Sequence, residues 1–244
     1  MGEIKEALSI IKARWIEVCF IIGLMAVLMP LFGLLLTVYS LKANWMTVAN
    51  RGIMLLHICI SLFVLLIGGG FLRTVYLEGK KRQSIFGLVK TGRHFFSRLL
   101  GFGILYAGAM MFPVMVFFLL TWSAVCEPNS SMINRIMAIA LKLILVKPIL
   151  LAPATIIVTD CELFGSFGFI RRMRLLDAKP MLAIFLIQLL LPLFFPHLSV
   201  ESLWHYPRVT LYSILSYGLS LLMMIMAVRF VGSARGKQVE SEQV

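Results

Sequence analysis

Apolar residues run along this chain in long blocks rather than in the alternation of a half-buried strand, and polar residues collect in the gaps between them. A helical block of about 20 apolar residues matches the ~30 Å hydrocarbon core of a bilayer. Six blocks qualify, at 18–40, 53–77, 99–122, 137–159, 181–198 and 209–231. The pattern predicts an all-α, polytopic membrane protein of six transmembrane helices, a single integral domain over 1–232 followed by a polar cytoplasmic tail at 233–244. The third, fourth and sixth blocks are the clearest. Pro30 lies in the first, and Pro180, Pro192 and Pro196 break the short fifth, for which a re-entrant path is the alternative to a full crossing. Proline is tolerated at membrane depth where neighbouring helices satisfy the freed carbonyls.

Ahead of the first block, Ile4, Leu8, Ile11 and Trp15 recur at helical spacing, with Glu3, Lys5, Glu6 and Lys12 elsewhere. This predicts an amphipathic lead-in helix. The start is long and mixed in charge, with no small-x-small site after the apolar run, so no cleaved signal peptide is expected. Glu6 stands where myristoylation favours Ser or Thr, so no lipid anchor is expected either.

Composition sharpens the picture. The chain is 60% hydrophobic and 14% charged, with a mean hydropathy of +0.95, against roughly a quarter charged in a soluble domain. A soluble single-core protein is thereby excluded. The 23 Lys and Arg against 11 Asp and Glu give a net charge of +12, which suits either a nucleic-acid binder or a membrane protein with basic loops. Position decides between them. Seventeen of the basic residues fall before the first block, in or at the edge of the second and fourth connections, and at or beyond the end of the sixth block, with Arg73 and Arg229 in the last turns of their blocks, whereas only Lys42, Arg51, Arg135 and Arg208 occupy the other connections. The positive-inside rule places both termini in the cytoplasm. Basic residues so close to span ends argue against a nucleic-acid partner. Cys19, Cys59, Cys126 and Cys161 lack CxxC spacing and read as small apolar residues.

The two long cytoplasmic connections carry a repeat. Residues 86–93 read Phe-Gly-Leu-Val-Lys-Thr-Gly-Arg and residues 167–174 read Phe-Gly-Phe-Ile-Arg-Arg-Met-Arg, an offset of 81. Each copy follows an apolar block that ends near an acid, Glu78 in the first case and Asp160 with Glu162 in the second. Because two helices intervene, the units share an orientation and form a parallel internal repeat. Each reads as a short amphipathic interfacial helix, with Ile85, Leu88, Val89, Phe96 and Leu99 on one face in the first copy and Phe169, Ile170 and Met173 in the second. Lys90, Arg93, Arg171 and Arg174 on the flanks are candidate contacts for anionic headgroups, each gaining on the order of 1 kcal/mol near such lipid. The alternative is a docking surface for a cytoplasmic or membrane protein partner, or for an acidic ligand.

A wider set of residues joins this repeat: Gly68-Gly69-Gly70, the basic second connection, Leu151-Ala152-Pro153-Ala154, Ile156-Ile157-Val158, Asp160, Gly165, Phe167 and the Arg171–Arg174 cluster. Over about residues 50–190 this arrangement resembles the YciC-type family of six-helix bacterial inner-membrane proteins. It is also similar to the membrane domain attached to some glycerophosphodiester phosphodiesterases. Arg171-Arg172 depart from the small or hydroxyl residues usual there. The resemblance implies a fold and no activity, since the phosphodiesterase's catalytic domain has no counterpart in this chain.

Within the blocks, a charge is costly by roughly 2.5–3.5 kcal/mol on insertion scales and is a functional candidate by default. Lys147, near the middle of the fourth block and followed by Pro148, is the candidate ligand or pathway residue. Its expected partners are carbonyls freed by Pro148 or Pro153, a hydrated cavity or an anionic lipid group. Lys142 lies nearer the exterior end and can snorkel. No block holds an acid in its interior, which argues against coupling to protons or sodium. His197, Glu201 and His205, at i, i+4 and i+8 between prolines, are a weak zinc candidate against a plain aromatic belt with Trp204 and Tyr206. There is no GxSxG, no Cys/His pair at useful spacing and no paired intramembrane Asp, so neither an enzyme nor a cofactor is indicated. Gly68-Gly69-Gly70 with Gly101, Gly103 and Gly108 suits close helix packing. The sequence thus points to a non-enzymatic membrane protein, in envelope maintenance or as an accessory subunit. The alternative is a transporter or permease subunit for an anionic or lipid-like substrate.

Overall fold

A computed structural model describes residues 2–28, 48–120, 140–173, 178–194 and 206–242, and among them there are helices and connections but no strand. In chain order the helices are α1 (Gly2–Ala13), α2 (Trp15–Gly23) running into a π-helical turn at Leu24–Leu28, α3 (Val48–Glu78), α4 (Ile85–Leu120), α5 (Val146–Thr159), α6 (Leu163–Arg172), α7 (Lys179–Phe194) and α8 (Tyr206–Glu242). Two of them contain stretches long and apolar enough to cross a membrane, Ile58–Glu78 and Pro207–Gly236. The α5–α6 pair makes a third if it counts as one span, although it is bent by 113°. Parts of the first, third, fourth and fifth apolar blocks lie outside the described residues.

Helix α5 is the buried axis. Leu150, Leu151, Ala152, Ala154, Ile156, Ile157 and Val158 are all sealed from the surface, together with Thr155. A helix that is apolar on every side has no solvent face to offer and must be surrounded. α8 packs along it and also meets α1, α2, α3 and α7. Upstream of α5, residues 140–144 are helical and Leu145 forms a turn. Pro148 cannot donate to the Ile144 carbonyl, which accounts for the interruption.

The most extensive pairing is between α3 and α4, and glycine permits it. A Cβ built on Gly70 would collide with the Leu88 carbonyl oxygen, and one on Gly92 with the Leu66 carbonyl oxygen. Removing the side chain lets two backbones touch where any other residue would hold them apart. Of the glycines expected to serve packing, Gly69 and Gly70 sit in this contact, whereas Gly103 and Gly108 face open space. Gly92, a member of the repeated octapeptide, is the true partner of Gly70.

Two chain reversals look alike. α3 ends at Glu78 and Gly79 follows with φ of 61°, and α5 ends at Thr159 and Asp160 follows with φ of 57°. A left-handed residue just past the last turn is a standard way to end a helix. The helices that follow differ. In the first copy of the repeat no separate interfacial helix forms, because α4 runs unbroken from Ile85 to Leu120 through a stretch with no glycine or proline between Arg93 and Leu99. In the second copy α6 is separate, ended by Met173 in an extended conformation, with Pro180 at the start of α7. The polar C-terminal stretch continues α8 as helix as far as Glu242.

Buried faces also depart from the expected stripes. In α1 the protein-facing residues are Ala7 and Ile10 with Ile4 and Ile11, while Leu8 and Trp15 are half exposed. In α4, Phe95 rather than Phe96 lies in the core beside Leu88 and Leu99.

Candidate functional site

The basic residues that define one end of the bundle are drawn to helix C-termini. The last carbonyls of a helix have no intrahelical donor, and the aligned peptide dipoles leave partial negative charge there. Arg73 Nη1 of α3 donates to Ile157 O at 2.5 Å and Val158 O at 3.2 Å. Arg235 Nη1 of α8 donates to Val158 O at 2.7 Å. Arg98 Nη1 of α4 donates to Asp160 O at 3.0 Å and to Asp160 Oδ1 at 2.5 Å. Three helices thus hold the end of α5. Arg73 is steadied between the rings of Tyr76 and Phe95, 5.7 and 5.4 Å from their centroids. Arg82 Nε does the same for α1, donating to Ala13 O at 2.8 Å.

Asp160 is the acid at this junction, just beyond the fourth apolar block. Its Oδ1 accepts from His94 Nε2 at 2.8 Å as well as from Arg98. Burial pushes the carboxyl up, but the His94 hydrogen bond, then the Arg98 bond and both charges, outweigh it and hold Asp160 below the usual carboxylate range. Between its folded and unfolded values the unfolded chain binds the extra proton, so stability rises with pH there. The contribution is complete above about pH 4, the ordinary carboxylate value, and is lost as the pH falls through the lower folded value. Asp160→Asn should flatten this acid limb, read as unfolding midpoints of variant and wild type between acid and neutral pH. Parallel profiles would contradict the assignment.

A second acid is buried at the start of α2. Arg14 is fully buried and Glu17 is 5% exposed. Arg14 Nε donates to Glu17 Oε2 at 2.5 Å, Arg14 Nη2 to Thr74 Oγ1 at 2.9 Å, and the guanidinium lies 4.6 Å from the Phe71 ring centroid. Glu17 Oε1 accepts the Gln83 backbone N–H at 2.5 Å, tying the α3–α4 connection to α2.

Lys147 is not at an isolated depth. Its Nζ donates to the Arg171 carbonyl at 3.3 Å, because the 113° bend after α5 turns α6 back toward it. The carbonyl it meets belongs to the end of α6 and not to residues freed by Pro148 or Pro153. Lys90, Arg93 and the Arg171 side chain are exposed. Arg174, Cys126 and the set His197, Glu201 and His205 lie outside the described residues. Among the described residues no group of three or more His, Cys, Asp or Glu is placed to hold a metal.

Lys142 lines a cavity with no acid among its described lining residues, whereas Arg229, which borders a separate cavity, is paired with Glu6. A cavity of about 210 Å³ between α4, α5, α7 and α8 is bounded by Tyr106, Lys142, Gln188, Tyr212, Ser216 and Ser220 above a floor of Ile149, Leu150 and Met224. Gln188 Nε2 donates to Ser220 Oγ at 2.6 Å and to Ser216 O at 3.3 Å, fixing the polar wall. Ser220 and Met224 also bound a second cavity of about 370 Å³, otherwise lined almost wholly by apolar side chains of α2, α3, α4, α5 and α8. Sequence reasoning read Lys142 as a snorkelling cation and Asp160 as a flanking acid, and did not single out Gln188. The signals it held for Asp160 were its place at the end of an apolar block and in the set of residues that carries the resemblance.

Among the described residues the fold is all-helical, with two helices, or three if the bent α5–α6 pair is one span, long and apolar enough to cross a membrane. No protein-family model, curated protein or solved structure matches it.

Proposed function

We propose that this chain is a non-enzymatic, six-span component of a bacterial-type inner membrane with both termini in the cytoplasm, serving envelope maintenance or acting as an accessory subunit of a membrane complex. The observation that carries this reading is that the strongest polar groups are engaged in joining helices. Arg73, Arg98 and Arg235 hold the end of α5, and Glu17 and Asp160 are each paired with an arginine. A carboxylate locked in this way is not free to act as a general base. Lys90, Arg93, Arg171 and Arg174 then serve as contacts for anionic headgroups or a protein partner.

The parallel repeat belongs to this proposal, and with it the YciC-type likeness. Its support is that Gly79 and Asp160, the two positive-φ positions among the described residues, stand 81 residues apart, the same offset as the two octapeptides. A cysteine substituted at Lys90 is expected to react only with reagents that reach the cytoplasm. Labelling from the opposite side would overturn the orientation. Purification from native membranes in mild detergent should retain a stoichiometric membrane partner; a chain that is always alone and moves solute in liposomes would overturn the accessory role.

That outcome would favour the second reading, a transporter or permease subunit for an anionic or lipid-like substrate. The Lys142 cavity is the observation in its favour. Lys147, engaged with the Arg171 carbonyl, lines neither cavity.

A further inference from the structure

We infer that the paired cavities form one binding site for an anionic phospholipid, with its phosphate at Lys142 and an acyl chain in the apolar cavity beyond Ser220 and Met224. The inference deepens the second reading of function and rests on the chain being membrane-embedded. The first argument is charge. Lys142 brings an ammonium to a cavity whose described lining contains no acid, and an uncompensated cation at membrane depth is costly. An anion from outside the chain supplies the countercharge that the described lining lacks.

The second argument is the supply of neutral donors beside it. The hydroxyls of Tyr106 and Ser216 border the same space, and phosphate oxygens accept from such groups as well as from ammonium. The third is polarity along the membrane normal. Lys142 lies five residues inside the exterior end of the fourth block. Tyr212 is similarly near the exterior end of α8, whereas Ser220 and Met224 lie two to three turns deeper. From them the second cavity continues between Ile21, Val64, Leu72, Phe102 and Ile157. A headgroup near the interface with a tail running inward is the disposition of a bilayer lipid. The two volumes together fall within the roughly 300–1,000 Å³ of ligand pockets, and in a bilayer the fluid that fills an apolar cleft is lipid.

The test uses the full chain in nanodiscs of phosphatidylcholine doped with phosphatidylglycerol, with bound lipid read by native mass spectrometry after release. Wild type is expected to retain phosphatidylglycerol over phosphatidylcholine. Lys142→Gln should weaken that retention about tenfold or more, and Leu65→Trp, which fills the apolar cavity, should weaken it as well. Lys147→Gln should leave it unchanged. Retention unaffected by Lys142→Gln overturns the site, and so does displacement of the lipid by inorganic phosphate alone, since the tail would then contribute nothing. Insertion and orientation are scored separately by the labelling described above. An inserted, correctly oriented chain that retains no anionic lipid overturns the inference alone, and a chain that does not insert overturns the membrane reading on which it rests.

Discussion

Gly92→Ala is expected to destabilise the folded bundle by at least the roughly 1–3 kcal/mol typical of overpacking, and Gly70→Ala by a similar amount. At both positions the obstacle to a methyl group is a backbone carbonyl oxygen of the opposing helix, Leu66 for Gly92 and Leu88 for Gly70. A flexible side chain could rotate away, as the Leu99 tip beside Gly69 can, but a carbonyl moves only with its helix. The α3–α4 pair must therefore separate along its length or lose the contact. Gly108→Ala and Gly168→Ala are the matched controls, since nothing approaches a Cβ there. Helix propensity alone makes these neutral or stabilising by up to about 1 kcal/mol. Unfolding midpoints in detergent for the four variants should split into two groups of opposite sign. Four similar values would remove the close contact from the account of the fold.

Arg14→Ala should cost about 3–5 kcal/mol, the scale for removing one partner of a buried ion pair. Glu17 would be left charged in a site it shares with Phe71 and the start of α2, and the Gln83 N–H alone could not compensate it. The pair itself adds much less than its breakage removes, because taking both charges from water is expensive and Arg14 Nη1 finds no acceptor among the described residues. Replacing both, as Arg14→Met with Glu17→Leu, is accordingly expected to recover most of the loss. Expression yield and the detergent unfolding midpoint report the difference. A double variant as unstable as Arg14→Ala would mean that the pair holds the α3–α4 connection in a way apolar packing cannot replace.

The helical elements follow from the hydrophobic blocks, and which faces pack does not. In a bilayer, apolar side chains face lipid as readily as protein, so a stripe of Ile4, Leu8, Ile11 and Trp15 shows that a helix is amphipathic without showing which apolar residues are packed. Ala7 and Ile10 take the protein side, and Leu8 and Trp15 are left outside. The same degeneracy exchanges Phe95 for Phe96. For Lys147 the partner was not legible because depth was counted along a straight helix, whereas the reversal at Asp160 brings the end of α6 to it. The cavity at Lys142 needs residues from four helices, and spacing within one helix cannot assemble it. Gly92 was in plain view in the repeated octapeptide, but its role depends on Gly70 of the neighbouring helix. The basic residues were read as a topology signal, and the structure gives several of them a further local task, closing helix C-termini whose last carbonyls have no intrahelical donor.

The grip on the end of α5 has a mechanical consequence. Guanidinium groups from three helices fix the carbonyls of Ile157, Val158 and Asp160, so α5 cannot slide along its axis without breaking all of them. Its other end is interrupted at Leu145. With that end pinned, any displacement of the wall near Lys142 has to be taken up at Leu145 rather than by sliding of the helix.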